Sequence, residues 1–82
     1  MVLWTFFIVP DESENIFEVA IDNEKTFGDL KKIVSEKTNL PYDSLILVGR
    51  IEYGDQYNST KLKEIDGLND QITLYIVIAN KV

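Results

Sequence analysis

The 82-residue chain contains no cysteine and no histidine. Without thiols it can form neither a disulfide nor a thiolate metal site, and nothing in it points to an oxidising compartment. Without imidazole it lacks the usual general base and the usual transition-metal ligand, so no serine or threonine has its customary activator. Glycine is sparse as well: four residues, at 28, 49, 54 and 67, whose spacing makes no phosphate-cradling loop. No catalytic set emerges, so neither enzyme activity, a cofactor nor a bound metal is expected. Basic charge is the other shortage, with eight lysines and arginines against fourteen acids and a net charge of −6. A chain of that sign is repelled by phosphate backbones and anionic bilayers, which argues against nucleic acid or membrane as a partner. The apolar start, MVLWTFFIVP, has no basic flank, no small-residue cleavage site and too little length for a span. It reads as a strand, and the expected compartment is cytoplasm or nucleus.

What is present suits a single domain over residues 1–82 with one shared core. Residues 3–9, LWTFFIV, are rich in aromatic and β-branched types and are stopped by Pro10. After the polar PDESEN comes IFEVAID, alternating Phe17, Val19 and Ile21 against Glu18, Ala20 and Asp22, so an antiparallel hairpin is expected. A helix is predicted over 26–38. Thr26 caps it with Asp29 three residues on, Phe27, Leu30, Ile33 and Val34 form an apolar stripe, and Asn39 and Pro41 end it. Lys31, Lys32, Glu36 and Lys37 are assigned to its outer side. LILV at 45–48 gives a third strand closed by Gly49, RIEY a short fourth, KLKEIDGL a single helical turn, and QITLYIVIA the last strand. The order ββ-α-β-β-turn-β describes an α+β domain: one mixed sheet with one helix packed on one face. The core is expected to hold Phe17, Val19, Ile21, Leu30, Val34, Leu45, Leu47, Leu62, Leu74 and Ile76.

The run TFGDLKKIVSEKTNLPYDSLILVGRIEYGD, followed by KLKEIDGL and ITLYIVI, resembles the ubiquitin-like β-grasp family across nearly the whole chain. It departs from ubiquitin itself in several places. The link after Pro41 is shorter, and the segment from Gly54 to Leu62 is longer. Ile65 stands where ubiquitin has a loop-latching tyrosine, and Arg50 replaces the lysine after the glycine. The sequence ends ANKV, with no terminal Gly-Gly. The resemblance therefore implies a ubiquitin-like domain cut from a larger protein. It also implies that Lys31 matches a helix lysine largely buried in ubiquitin, although a surface lysine is the plainer reading of its position.

With Leu45 and Leu47 turned to the helix, Ile46 and Val48 face outward. The same parity puts Ile72, Leu74, Ile76 and Ile78 inside, with Thr73, Tyr75, Val77 and Ala79 outside. In the first strand Trp4, Phe6 and Ile8 point in and Phe7 and Val9 out. Isolated surface apolars are ordinary. A contiguous set on an uncovered face is not, and it marks an interaction site. The resemblance adds that such domains bind partners through this face. The expected partner-binding residues are Phe7, Ile46, Val48, Thr73, Tyr75 and Val77, with Arg50 on the rim. The acids Asp11, Glu12 and Glu14 read as a solvated turn, Asp66 and Asp70 as turn and loop, and NST at 58–60 as loop.

The function expected is a non-conjugated, monomeric protein-interaction domain of the ubiquitin pathway. Its partner would be a ubiquitin receptor, a ubiquitin-binding motif or a proteasome subunit. The alternatives are a conjugated modifier whose diglycine tail is absent here, a homotypic β-grasp domain, or a small-GTPase-binding one, which the acids of FEVAID disfavour. A narrow activating site admits a tail without Cβ atoms. Incubation of this chain with ubiquitin-type activating enzyme and ATP should accordingly yield no thioester through Val82, as read by gel shift under non-reducing conditions.

Overall fold

The computed structural model describes residues 1–10 and 15–79. Residues 11–14 of the PDESEN turn, with the acids Asp11, Glu12 and Glu14, and the last three positions lie outside the described residues. Five strands form one sheet: β1 (Leu3–Val9), β2 (Phe17–Asp22), β3 (Leu45–Val48), β4 (Glu52–Tyr53) and β5 (Ile72–Ile78). Their order across the sheet is β2-β1-β5-β3-β4. The outer pairings are antiparallel, whereas β1 and β5 run parallel, from Phe6 opposite Ile72 to Val9 opposite Tyr75. Helix α1 (Phe27–Thr38) packs on one face. Phe6, Ile8, Val19, Ile21, Leu45, Leu47, Leu74 and Ile76 meet Phe27, Leu30 and Val34 there, all buried.

The helix forms where its cap indicates. Asp29 N donates to Thr26 Oγ1 at 3.2 Å, and Thr26 N donates to an Asp29 carboxylate oxygen at 3.1 Å, a reciprocal capping box. Residues 58–63 run beside 23–28 and absorb the remaining first-turn donors. Phe27 N donates to Thr60 O at 2.9 Å and Gly28 N to Asn58 O at 3.0 Å. A Cβ at position 28 would lie 2.8 Å from Asn58 O, so the strap can approach only because the residue is glycine. The ion pairs of Glu24 with Lys61, at 3.2 Å, and with Lys63 tie the same two segments. Asn39 closes the helix at φ 60°, as an αL C-cap.

Five placements differ from expectation, and three residues not foreseen there join the core. Phe17, Trp4 and Ile72 have the inward parity foreseen but are half-buried, and Ile78 is 43% exposed. They lie at strand ends, where a helix of 12 residues runs out of cover. Lys31, expected outside, is fully buried. Tyr53, Ile65 and Leu68 join the core, and Tyr53 Oη donates to Asp66 O at 3.4 Å. A tyrosine from β4 thus holds the 66–67 turn that Ile65, buried in the core, does not latch.

The hydrogen bond from Thr26 N holds the Asp29 carboxyl below its ordinary value of 3.8. A depressed carboxylate stabilises the fold above the unfolded value, and that contribution is lost as pH falls through the folded one. Asp29→Asn should therefore destabilise most at neutral pH, with the gap to wild type closing in acid. Thr26→Ala should cost about 1 kcal/mol. Thermal melts of both variants at pH 7 and in mild acid check these outcomes.

Candidate functional site

The pairing register fixes what shares the face opposite α1. Phe7 stands beside Thr73 on β5 and Glu18 on β2; one step on, Val9, Tyr75, Val48 and Glu52 form a row across four strands. Ile46 pairs with Val77 one step further. Phe7, Val9, Ile46 and Val48 are half-buried, while Tyr75 is 54% and Val77 43% exposed. The apolar side chains thus run as a diagonal stripe over β1, β5 and β3. Their types follow from strand chemistry, since β-branched and aromatic residues suit a pleated surface. Their continuity does not, because an antiparallel pair with one wet face ordinarily shows polar residues there.

Six of the seven anticipated residues are brought together: Phe7, Ile46, Val48, Thr73, Tyr75 and Val77. Arg50, in the bend after β3, stands at the corner, and its stem leans toward Gly67, 3.8 Å from where a Cβ there would sit. Val9, outward by parity but not among the anticipated binding residues, belongs to the stripe as well. Asp70 accepts from Thr5 N at 2.7 Å, and Gln71 N donates to Thr5 O at 2.7 Å. That loop acid starts the β1–β5 ladder. The Asn58 amide of the NST triplet is likewise engaged, by Lys31.

Among the described residues two clefts stand out, the first of them sharing Val77 with this face. One, of about 340 Å³, is lined by Leu40, Ile76, Val77 and Ile78; the other, of about 280 Å³, by Ile21, Lys25, Asp29, Lys32 and Ile33. The first is lined by apolar side chains, and in the second the Asp29 carboxylate is engaged by the helix cap. Buried Lys31 lines neither cleft: its Nζ is 3.2 Å from Asp55 Oδ1, 3.3 Å from Asn58 Oδ1 and 4.8 Å from the centre of the Tyr42 ring. Burial pushes the Tyr42 hydroxyl pKa up, and the Asp55 charge adds to it. The ammonium thus fastens α1 to the segments at 42 and 55–58. Lys31 lies four residues after Phe27 and three before Val34, on the buried side of the helix; its charge rather than its spacing argued for water, and the resemblance signalled the burial.

A parallel β1–β5 pair at the centre, a helix crossing one face, and β3 with a short β4 completing one side define the architecture. The fold is the ubiquitin-like β-grasp. The ubiquitin of Caldiarchaeum subterraneum superposes with a TM-score of 0.80 at 17% identity, covering 98% of both chains. The ubiquitin-like domain of an Arabidopsis thaliana protein gives 0.77 at 17% identity, over 99% of this chain and 82% of that one. The crystal structure of ATBAG1 in complex with HSP70 gives 0.71 at 17% identity, over 93% of this chain and 40% of that one. Neither a protein-family model nor a curated protein sequence matches the chain. At such identities the β-grasp likeness concerns the fold.

The buried lysine of this β-grasp is testable by stability. Lys31→Met keeps the stem and removes the charge, so it should change stability by less than about 1.5 kcal/mol. Removing both acceptors, Asp55→Ala with Asn58→Ala, strands the ammonium and should cost roughly 2–3 kcal/mol. The exposed Asp55 carboxylate, 75% accessible, supplies the smaller share. Urea unfolding of the two proteins ranks them.

Proposed function

We propose that the chain is one non-conjugated ubiquitin-like interaction domain of a larger ubiquitin-pathway protein, acting in cytoplasm or nucleus. It binds a protein partner through the open face centred on Ile46. The observation that carries this reading is the stripe of Phe7, Val9, Ile46, Val48, Tyr75 and Val77, which no described element covers. Contiguous apolar surface of this kind marks interaction sites, and a half-exposed tyrosine within it has the character of a binding anchor. Proteins with this fold occur in assemblies, among them the ATBAG1 complex with HSP70 and a pParkin-pUb-UbcH7 complex. The partner envisaged is a ubiquitin receptor, a short helical ubiquitin-binding motif or a proteasome subunit. Binding, not catalysis, is the activity: ubiquitin-like folds are generally non-enzymatic, and this sequence has neither histidine nor cysteine.

A charge driven into an apolar contact is desolvated without a counter-charge, at a cost of several kcal/mol. Ile46→Asp should therefore abolish binding to immobilised proteasomal ubiquitin receptors and helical ubiquitin-binding peptides while the domain stays folded. Leu45→Asp or Leu47→Asp should unfold it, because both side chains are buried under α1. Tyr75→Ala should weaken binding by about 1–3 kcal/mol. Melting curves and titrations of the four variants test the reading, which fails if Ile46→Asp and Tyr75→Ala both bind as wild type does.

A further inference from the structure

The charges around the open face are sorted by sign. Among the described residues its strand positions carry Glu18, Asp22 and Glu52 but no lysine or arginine. Basic residues gather elsewhere. Lys25, Lys31, Lys32 and Lys37 lie on or just before α1, and Lys61 and Lys63 on the strap beside it, both paired to Glu24. Arg50 shares the β3–β4 corner with Glu52, but its stem turns toward Gly67 and its charge acts on the Tyr53 hydroxyl beneath the sheet. Asp22 is spoken for by Glu24 N, at 3.0 Å. Glu18 and Glu52 enter none of the ion pairs among the described residues, and both are exposed.

These two carboxylates bracket the stripe. Glu18 on β2 sits beside Phe7, and Glu52 on β4 beside Val48, with the other three strands between them. At the usual strand spacing, and one pleat step apart along the strands, they are about 20 Å from each other. An α-helix covers that distance in about 13 residues. We propose that the occupant of the open face is an amphipathic helix of three to four turns with an apolar centre and a lysine or arginine near each end, meeting Glu18 and Glu52. This rests on the docking role assigned above and specifies the partner's chemistry. The net charge of −6 draws a basic partner in from a distance, and the two rim carboxylates set its placement. A second copy of this chain is disfavoured, since it would bring acids against acids.

A phage-displayed library of helical peptides, roughly 18 residues long to span the face with a turn to spare, tests this directly. End positions are randomised over Lys, Arg, Asp, Glu and Ser, and central ones over apolar types. Panning uses the full chain as wild type, as Ile46→Asp, and as the double variant Glu18→Lys with Glu52→Lys, each checked for an unchanged melt. Wild type should enrich peptides basic at both ends. Ile46→Asp should retain none of them, and the charge-reversed protein should enrich acidic ends instead. For a selected peptide, charge reversal should weaken binding about tenfold at low salt, the effect shrinking as salt is raised. No enrichment on wild type, or ends without a basic bias, overturns the proposal. If unbiased peptides are nonetheless lost on Ile46→Asp, the docking role survives and only the charge assignment falls. Peptides held equally by Ile46→Asp would sink the docking role itself. Concentration-dependent dimerisation abolished by Ile46→Asp would assign the face to a second copy, also overturning the proposal.

Discussion

A twelve-residue helix can roof only one face of a five-stranded sheet, and beyond three single 3-10 turns the described part of this chain offers no second helix. Each strand must therefore send half its side chains toward the roof and half away from it. The core is made of the first half: Phe6, Ile8, Val19, Leu45, Leu47, Leu74 and Ile76 under Phe27, Leu30 and Val34. The second half is left to water. Where it is polar, as at Glu18 and Thr73, nothing needs explaining. Where it is Phe7, Ile46, Val48, Tyr75 and Val77, the same constraint that builds the core also leaves apolar surface without a partner inside the domain.

The roof has to be held at the right height and angle, and polar contacts do much of this. The strap at 58–63 receives the first-turn donors of α1, the capping box deals with the next, and Lys31 reaches under the helix to Asp55 and Asn58. These contacts consume groups that would otherwise be unsatisfied at a half-covered helix end. They also explain the longer segment between Gly54 and Leu62, which ubiquitin-like resemblance marked only as an insertion. It supplies the carbonyls and the carboxylate that hold the helix.

Much of this is legible in the sequence alone. The parity of β5 was fixed by Thr73, the helix start by Thr26 and Asp29, and its end by Asn39. The stripe followed from parity alone. What escaped had a common cause: patterns describe residues one element at a time. Tyr53 sits in a two-residue strand too short to alternate, so nothing local revealed its place in the core or its bond to Asp66. Lys31 shares the helix side of Phe27 and Val34, yet its charge spoke for water, and its burial depends on a segment 24 residues away. Ile78 has inward parity, but how far a roof extends past a strand end is a matter of tertiary length. The segregation of charge by face became visible only when the strand pairing put Glu18 and Glu52 at opposite margins of one surface.

The parallel ladder between β1 and β5 carries a mechanical consequence. Pulling Leu3 and Ile78 apart drives the two strands past each other along their own axes. The bonds from Phe6–Ile72 to Val9–Tyr75 are then loaded together, in shear, and none can open before the rest. The antiparallel margins, such as β3 with β4, would peel bond by bond under a comparable load. Held between tethers at Leu3 and Ile78, the domain would resist extension as a clamp does, and its open sheet face would stay assembled under the load.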